Sequence, residues 1–152
     1  MPTIWNGDWF ELAADDSDLA LFTGNSTIRR DGCLVMGRGL ARQVRDRLPG
    51  VDRAIAKAID QRAIYGVAIA GGPYRVGRAA IGAFQVKRFW GDAADLGLIA
   101  HSVTCLNTFL APKPANYRVI LNYPGIGNGR LTLEQVAPLI AGLDARVIVC
   151  YR

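Results

Sequence analysis

The chain has no uninterrupted apolar run near the ~20 residues a membrane-spanning helix needs, although 51% of its residues are apolar. Its first ten residues, MPTIWNGDWF, lack a basic stretch followed by an apolar one, so they do not read as a signal peptide. Cysteine is scarce: Cys33, Cys105 and Cys150 are odd in number and far apart. That spacing excludes a disulfide framework and a paired-cysteine metal site, and it points to a reducing cytoplasm. The single histidine, His101, falls off the apolar stripe of its helix with no partner at ligand spacing, and no function is assigned to it. Asp15, Asp16 and Asp18 read as a loose acidic loop rather than a metal site, and no cofactor is implied. Lysine is rare too, at three residues, so the net charge of +5 is carried almost entirely by arginine. A modestly basic surface suits an anionic partner and is equally common in proteins without one. There is no repeat, linker or low-complexity segment. Residues 1–152 are therefore expected to form one domain, long enough to bury a core and taken to be monomeric.

What is present is an alternation of strands and helices. Residues 3–5 (TIW) and 19–24 (LALFTG) read as strands. In TIRRDGCLVM the Asp31-Gly32 pair predicts a hairpin closed by a type I′ turn. A helix is expected from about Gly39, with Leu40, Val44 and Leu48 on one face and Pro49-Gly50 at its end. Val51, Ala54, Ile55, Ala58 and Ile59 predict a second. Residues 65–70 and 79–84 read as strands, and Leu96, Ile99, Val103, Leu106 and Leu110 stripe a third helix. A strand over 118–123 leads to a fourth helix, for which Thr132 and Gln135 make a capping box and in which Pro138 sits awkwardly. RVIVCY, at 146–151, reads as a strand buried on both faces. Such alternation implies an α/β sandwich.

Two loops lie where strands hand over to helices, and both are rich in glycine: Gly37-Arg38-Gly39 and Gly125-Ile126-Gly127-Asn128-Gly129. Ligands of open α/β sheets sit beyond the carboxyl ends of the strands. Glycine lets backbone N–H groups approach a phosphate, and a helix N-terminus adds a favourable dipole. Two such loops together suit the two halves of a diphosphate, although either alone reads better as a tight turn. A dinucleotide fingerprint starting at Gly37 needs a small residue where Arg42 stands, and no GK[ST] follows either loop.

Four segments in this order resemble the macrodomains, a family that binds ADP-ribose. They are NGDWF, FTGNSTIRRDGCLVMGRGLARQVRDRLPG, FQVKRFW with ADLGLIAHS, and PGIGNGRLTLEQVAPLI. The third is similar to a branch that includes DNA ADP-ribosyl glycohydrolase antitoxins and the terminal ADP-ribose protein glycohydrolases. The resemblance implies a three-layer α/β/α sandwich with a mixed central sheet. It implies that Asp8 meets the adenine amino group, and that Asn25, Met36, Gly37, Arg38, Gly39, Leu40 and Ala41 embrace the distal ribose and diphosphate. Gly125, Ile126, Gly127, Asn128, Gly129 and Arg130 would form the phosphate loop. The implied partners are ADP-ribose or ADP-ribosylated protein or DNA. Three departures stand out: Asn25 and Met36 are eleven positions apart, Ile126 replaces a cysteine, and Arg130 replaces a small residue or an aspartate.

The resemblance makes Lys87 the first catalytic candidate, with Asn25 beside it. Breaking the anomeric bond of the distal ribose develops positive charge on that carbon. Lys87 either attacks it as a neutral amine, aided by burial and by neighbours such as Arg38 and Arg88, or stays charged and stabilises the leaving group while Asn25 orients the 2″-hydroxyl or a water. A phosphatase acting on ADP-ribose 1″-phosphate and a non-catalytic reader are the competing functions. Trp90 is expected in the core in preference to stacking on a base. Arg29 and Arg30 on the hairpin meet nucleic-acid phosphates or simply form a solvated strand edge.

Overall fold

The computed structural model describes residues 1–62 and 66–151. A seven-stranded mixed sheet lies at its centre in the order β1 (Thr3–Asn6), β7 (Val147–Tyr151), β6 (Val119–Asn122), β2 (Leu19–Gly24), β5 (Ala79–Gln85), β3 (Val67–Ile69). The first five are mutually parallel; β3 and the two-residue β4 (Arg75–Val76) run antiparallel to β5. The expected strand over 65–70 is seen as Val67–Ile69, and Tyr65 lies outside the described residues.

Alternation along β2 sorts the core into two layers. Ala20 and Phe22 face α1 (Trp9–Asp16), α2 (Gly39–Arg47) and α3 (Val51–Arg62), through Phe10, Val44 and Ile55. Leu19 and Leu21 face α4 (Leu96–Leu110) and α5 (Leu133–Ile140), through Ile99, Leu106 and Val136. This is the three-layer α/β/α sandwich with a mixed sheet. Side chains at i and i+2 must leave a strand on opposite faces from i+1, so a run such as LALF fills both layers at once. The terminal strand β7 takes an interior place, with Val147, Val149 and Cys150 buried, Ile148 half-buried and Tyr151 exposed.

Several expectations need correction. Asp15 and Asp16 end a helix, α1, which Asp8 caps by accepting from the Glu11 N–H at 3.2 Å; Arg78 then pairs with Asp16 at 2.9 Å and Asp18 at 3.6 Å. The hairpin does not close with a type I′ turn, because Asp31 has no positive φ. Instead Ile28 bridges Leu34, the Gly32 N–H donates to Arg29 O at 2.9 Å, and Gly32 alone is left-handed at φ 83°. That is the three-residue loop in which glycine follows a tight turn. The Thr132–Gln135 capping box is formed, and Pro138 lies inside α5 on its exposed side.

One ion pair fixes the entry to β7. Arg146 donates Nε and Nη2 to the Asp144 carboxylate at 2.8 and 3.0 Å and Nη1 to Lys113 O at 2.7 Å. The fork holds the Asp144 carboxyl down at about 2, below the usual value of 3.8. A depressed carboxyl stabilises the fold above its unfolded value, and that contribution is lost as pH falls through the folded one. We therefore expect Asp144→Asn to unfold at lower urea concentration at pH 7. Its deficit against the wild type should shrink between pH 4 and pH 2, followed by circular dichroism.

Candidate functional site

A cleft of about 1400 Å³ runs along the carboxyl edge of the parallel strands. Its opening is created by strand divergence. β2 and β6 pair only as far as Leu21 and Leu121. Beyond that point Asn122 stands in for the ladder: its Oδ1 accepts from the Thr23 N–H at 2.8 Å and its Nδ2 donates to Thr23 Oγ1 at 3.0 Å. The chain leaving β2 enters α2 on one face, and the chain leaving β6 enters α5 on the other. A crevice opens where neighbouring strands send their connections to opposite faces.

The two glycine loops meet across this crevice. A Cβ on Gly39 would stand 3.1 Å from Nδ2 of Asn128. Gly39 has φ 58° and Gly127 φ 64°, left-handed values that suit glycine and let each backbone turn towards the cleft. No side chain caps the N-terminus of α2, and its first turn carries no acidic residue. Leu40 and Ala41, in that first turn, line the cleft. An uncapped helix start offers N–H donors and a positive dipole end to an anion. Gly127–Gly129 form a short turn of 3-10 helix, also without a side-chain cap, followed by Arg130 at φ 63°, the one non-glycine left-handed residue among those described.

Every residue proposed from the sequence for ligand contact or catalysis borders the cleft: Asp8, Asn25, Met36 to Ala41, Lys87 and Gly125 to Arg130. A hairpin fills the chain between Asn25 and Met36. It loops out and returns, so that Asn25 Nδ2 donates to Val35 O at 3.1 Å while Asn25 Oδ1 accepts from the Thr27 N–H at 3.0 Å. Met36 itself is buried and forms part of the floor. Lys87 follows β5, half-buried, and donates Nζ to Asp92 O at 3.1 Å. Desolvation, then the guanidinium groups of Arg130 and Arg38, push its ammonium below the ordinary lysine value, with Asp92 opposing. Arg88, expected among those cations, instead reaches Asp95 at 3.5 Å.

Trp90 is not in the core. It is 50% exposed, beside an equally exposed Phe89 at 5.6 Å between ring centres, and it borders the cleft. The opposite end of the cleft holds residues the sequence reading missed: Tyr123, Cys150 and Tyr151. The two tyrosine rings meet edge to face at 5.8 Å. Burial, with Asp8 nearby, pushes the Cys150 thiol up to about 11, so it is neutral at physiological pH. Their signal was positional: each is the last or next-to-last residue of a predicted strand. No cluster of metal-ligating side chains occurs among the described residues, and none of their helices is long and apolar enough to cross a membrane.

A mixed sheet between two helical layers, with paired glycine loops at the switch point, is the macrodomain fold. The solved structures bear this out. The macrodomain of Mycobacterium tuberculosis DarG matches with a TM-score of 0.69 at 23% identity, covering 99% of this chain and 98% of that one. The macrodomain of Thermus aquaticus DarG matches with a TM-score of 0.70 at 20% identity over 100% and 98% of the two chains. Thermosipho africanus DarTG in complex with ADP-ribose has a TM-score of 0.71 at 19% identity; the match covers 96% of this chain and 40% of that chain. No protein-family model matches the sequence, and no curated protein does.

Proposed function

We propose that this protein binds ADP-ribose and hydrolyses mono-ADP-ribosyl linkages, releasing ADP-ribose from modified acidic side chains or DNA bases. The observation that carries the reading is the order of chemistry along the cleft. From β1 to β5 are four inter-strand steps, about 19 Å at ~4.8 Å each. Along that edge Asp8 follows β1, Tyr151 ends β7, Tyr123 and the second glycine loop follow β6, Asn25 and the first glycine loop follow β2, and Lys87 follows β5. Adenosine, diphosphate and distal ribose follow one another in the same order. Asp8 is suited to accept from the adenine amino group, the loop N–H groups to bind phosphate oxygens, and Asn25 to orient the distal ribose. The Thermosipho africanus DarTG structure is a complex with ADP-ribose, which supports the same assignment.

The chemistry follows from Lys87. As a neutral amine it attacks C1″, the bond to the leaving group breaks, and the ring C–O bond opens to give an iminium. Water then adds to that carbon, and the amine departs with a proton. Charged, it instead stabilises the departing anion while water attacks. The lowered ammonium value favours the first route, because more neutral amine is present at a given pH. No carboxylate stands in the phosphate loop, where Arg130 occupies the last position.

Incubation with an ADP-ribosylated protein, an ADP-ribosylated oligonucleotide and ADP-ribose 1″-phosphate, each followed by mass spectrometry, tests the proposal. Release of ADP-ribose from either of the first two is the expected result. Turnover of the 1″-phosphate alone indicates a phosphatase. Calorimetric binding of ADP-ribose without turnover of any of the three indicates a reader.

A further inference from the structure

The segment carrying Lys87 has little regular structure to hold it. β5 ends at Gln85, and α4 does not begin until Leu96. Between them, residues 88–92 are exposed and include the half-exposed Phe89 and Trp90. A catalytic amine on such a loop needs a fixed position, since about 1 Å of misplacement can cost 100-fold in rate. The loop is gripped from two directions by residues lying far from it in sequence.

On one side is the hairpin that separates Asn25 from Met36. Thr27 Oγ1 donates to Arg88 O at 3.1 Å and accepts from the Trp90 N–H at 3.0 Å. The Ser26 N–H donates to the same Arg88 carbonyl at 2.9 Å, and Ser26 Oγ accepts from Gln85 Nε2 at 2.9 Å. On the other side Arg130 reaches across from the phosphate loop and donates Nη2 to Gly91 O at 2.8 Å. Its left-handed backbone, at φ 63°, carries a steric cost for a residue with a Cβ. Such a cost persists only where the surrounding structure enforces it. Lys87 closes the loop on itself through Asp92 O.

We propose that Thr27 and Arg130 are positioning residues that clamp segment 88–92 from opposite sides and so fix Lys87 at the distal-ribose end of the cleft. This rests on the reading of Lys87 as the catalytic amine. It gives a physical role to two departures from the macrodomain pattern, the inserted hairpin and the arginine that ends the phosphate loop. The groups facing the Lys87 ammonium are Arg38 from the first glycine loop, Arg130 from the second and Asp92 from its own segment. Loosening the clamp lets the amine move away from the two arginines towards solvent.

The test uses Thr27→Val, which keeps the shape and removes the hydroxyl, Thr27→Ser, which keeps the hydroxyl, and Arg130→Met. With three lysines in the chain, reductive 13C-methylation gives few signals, and Lys87→Arg assigns the one of interest. Thr27→Val and Arg130→Met should each move the Lys87 titration midpoint up towards the ordinary lysine value. Lys57 and Lys113 should stay in place, and Thr27→Ser should behave as wild type. On a hydrolysed substrate Thr27→Val should lower kcat about tenfold with the calorimetric Kd for free ADP-ribose changed less than threefold. Because both residues grip one segment, the double variant should fall short of the product of the single effects. Arg130→Met also removes a charge that acts on Lys87 directly, so an unmoved Lys87 midpoint in Thr27→Val, or a full product in the double variant, overturns the clamp. A shifted midpoint in a protein that turns over none of the three substrates upholds the clamp and overturns the hydrolase reading instead.

Discussion

Lys87→Ala should abolish release of ADP-ribose while leaving the affinity for free ADP-ribose within about threefold. The amine lies at one end of the cleft, past β5, whereas the two glycine loops follow β2 and β6. Removing it takes away no proposed phosphate contact. Losing the nucleophile, or the charge that steadies the leaving group, should cost at least a thousandfold in kcat, about 4 kcal/mol of barrier. Lys87→Arg separates the two routes. An arginine cannot deprotonate near neutral pH, so attack on C1″ is lost with it, whereas stabilisation of a leaving anion survives in part. On the attack route the wild-type rate should rise with pH until Lys87 is neutral, since its ammonium is already displaced downward by burial and by Arg130 and Arg38. A hydride reductant added during turnover should then trap a covalent adduct on Lys87, read by peptide mass spectrometry. Undiminished turnover in Lys87→Ala would remove the residue from the mechanism altogether.

The legible parts of this molecule were those with long, repeated signals. α4 is fifteen residues long and buries a stripe from Leu98 to Leu110, and β2 packs both faces within one apolar run. The glycine loops were legible because left-handed turns at Gly39, Gly125 and Gly127 constrain the backbone, and backbone freedom is written in residue identity. α1 was missed because eight residues present barely two turns, with Trp9, Phe10 and Ala13 alone marking the buried face. β4 is two residues long and has no pattern to detect. Trp90 was misassigned because large aromatic residues are buried on average, and only the tertiary grip on segment 88–92 leaves this one at the rim. The Asp-Gly pair marked a turn correctly and its type wrongly; Leu34 bridging Ile28 adds a residue to the loop and spares Asp31 a left-handed backbone. Asn122 lay beyond reach, since its bond to Thr23 depends on where two strands part rather than on either sequence.

Gly37→Glu should lower ADP-ribose affinity at least 100-fold and leave thermal stability nearly unchanged. Most glycines in this cleft cannot make that separation: at Gly39, Gly125 and Gly127 a side chain would meet a left-handed backbone, and at Gly125 it would also strike Ile99 and Leu131 within 2.9 Å. Gly37 differs. Its φ is not left-handed, and nothing lies within 4 Å of where its Cβ would stand, yet it borders the cleft one residue before Arg38, the last residue ahead of α2. A glutamate there brings a carboxylate to the place proposed for the diphosphate. Two like charges ~4 Å apart at an effective dielectric of ~20 repel by about 4 kcal/mol, and screening by Arg38 and salt still leaves two orders of magnitude in Kd. The melting temperature should stay within a few degrees, because no core contact is disturbed. Gly37→Ala serves as the size control and should bind within threefold of wild type. Tight binding by Gly37→Glu would mean that the anion does not sit at the N-terminus of α2, and the ligand assignment along the rest of the cleft would fail with it.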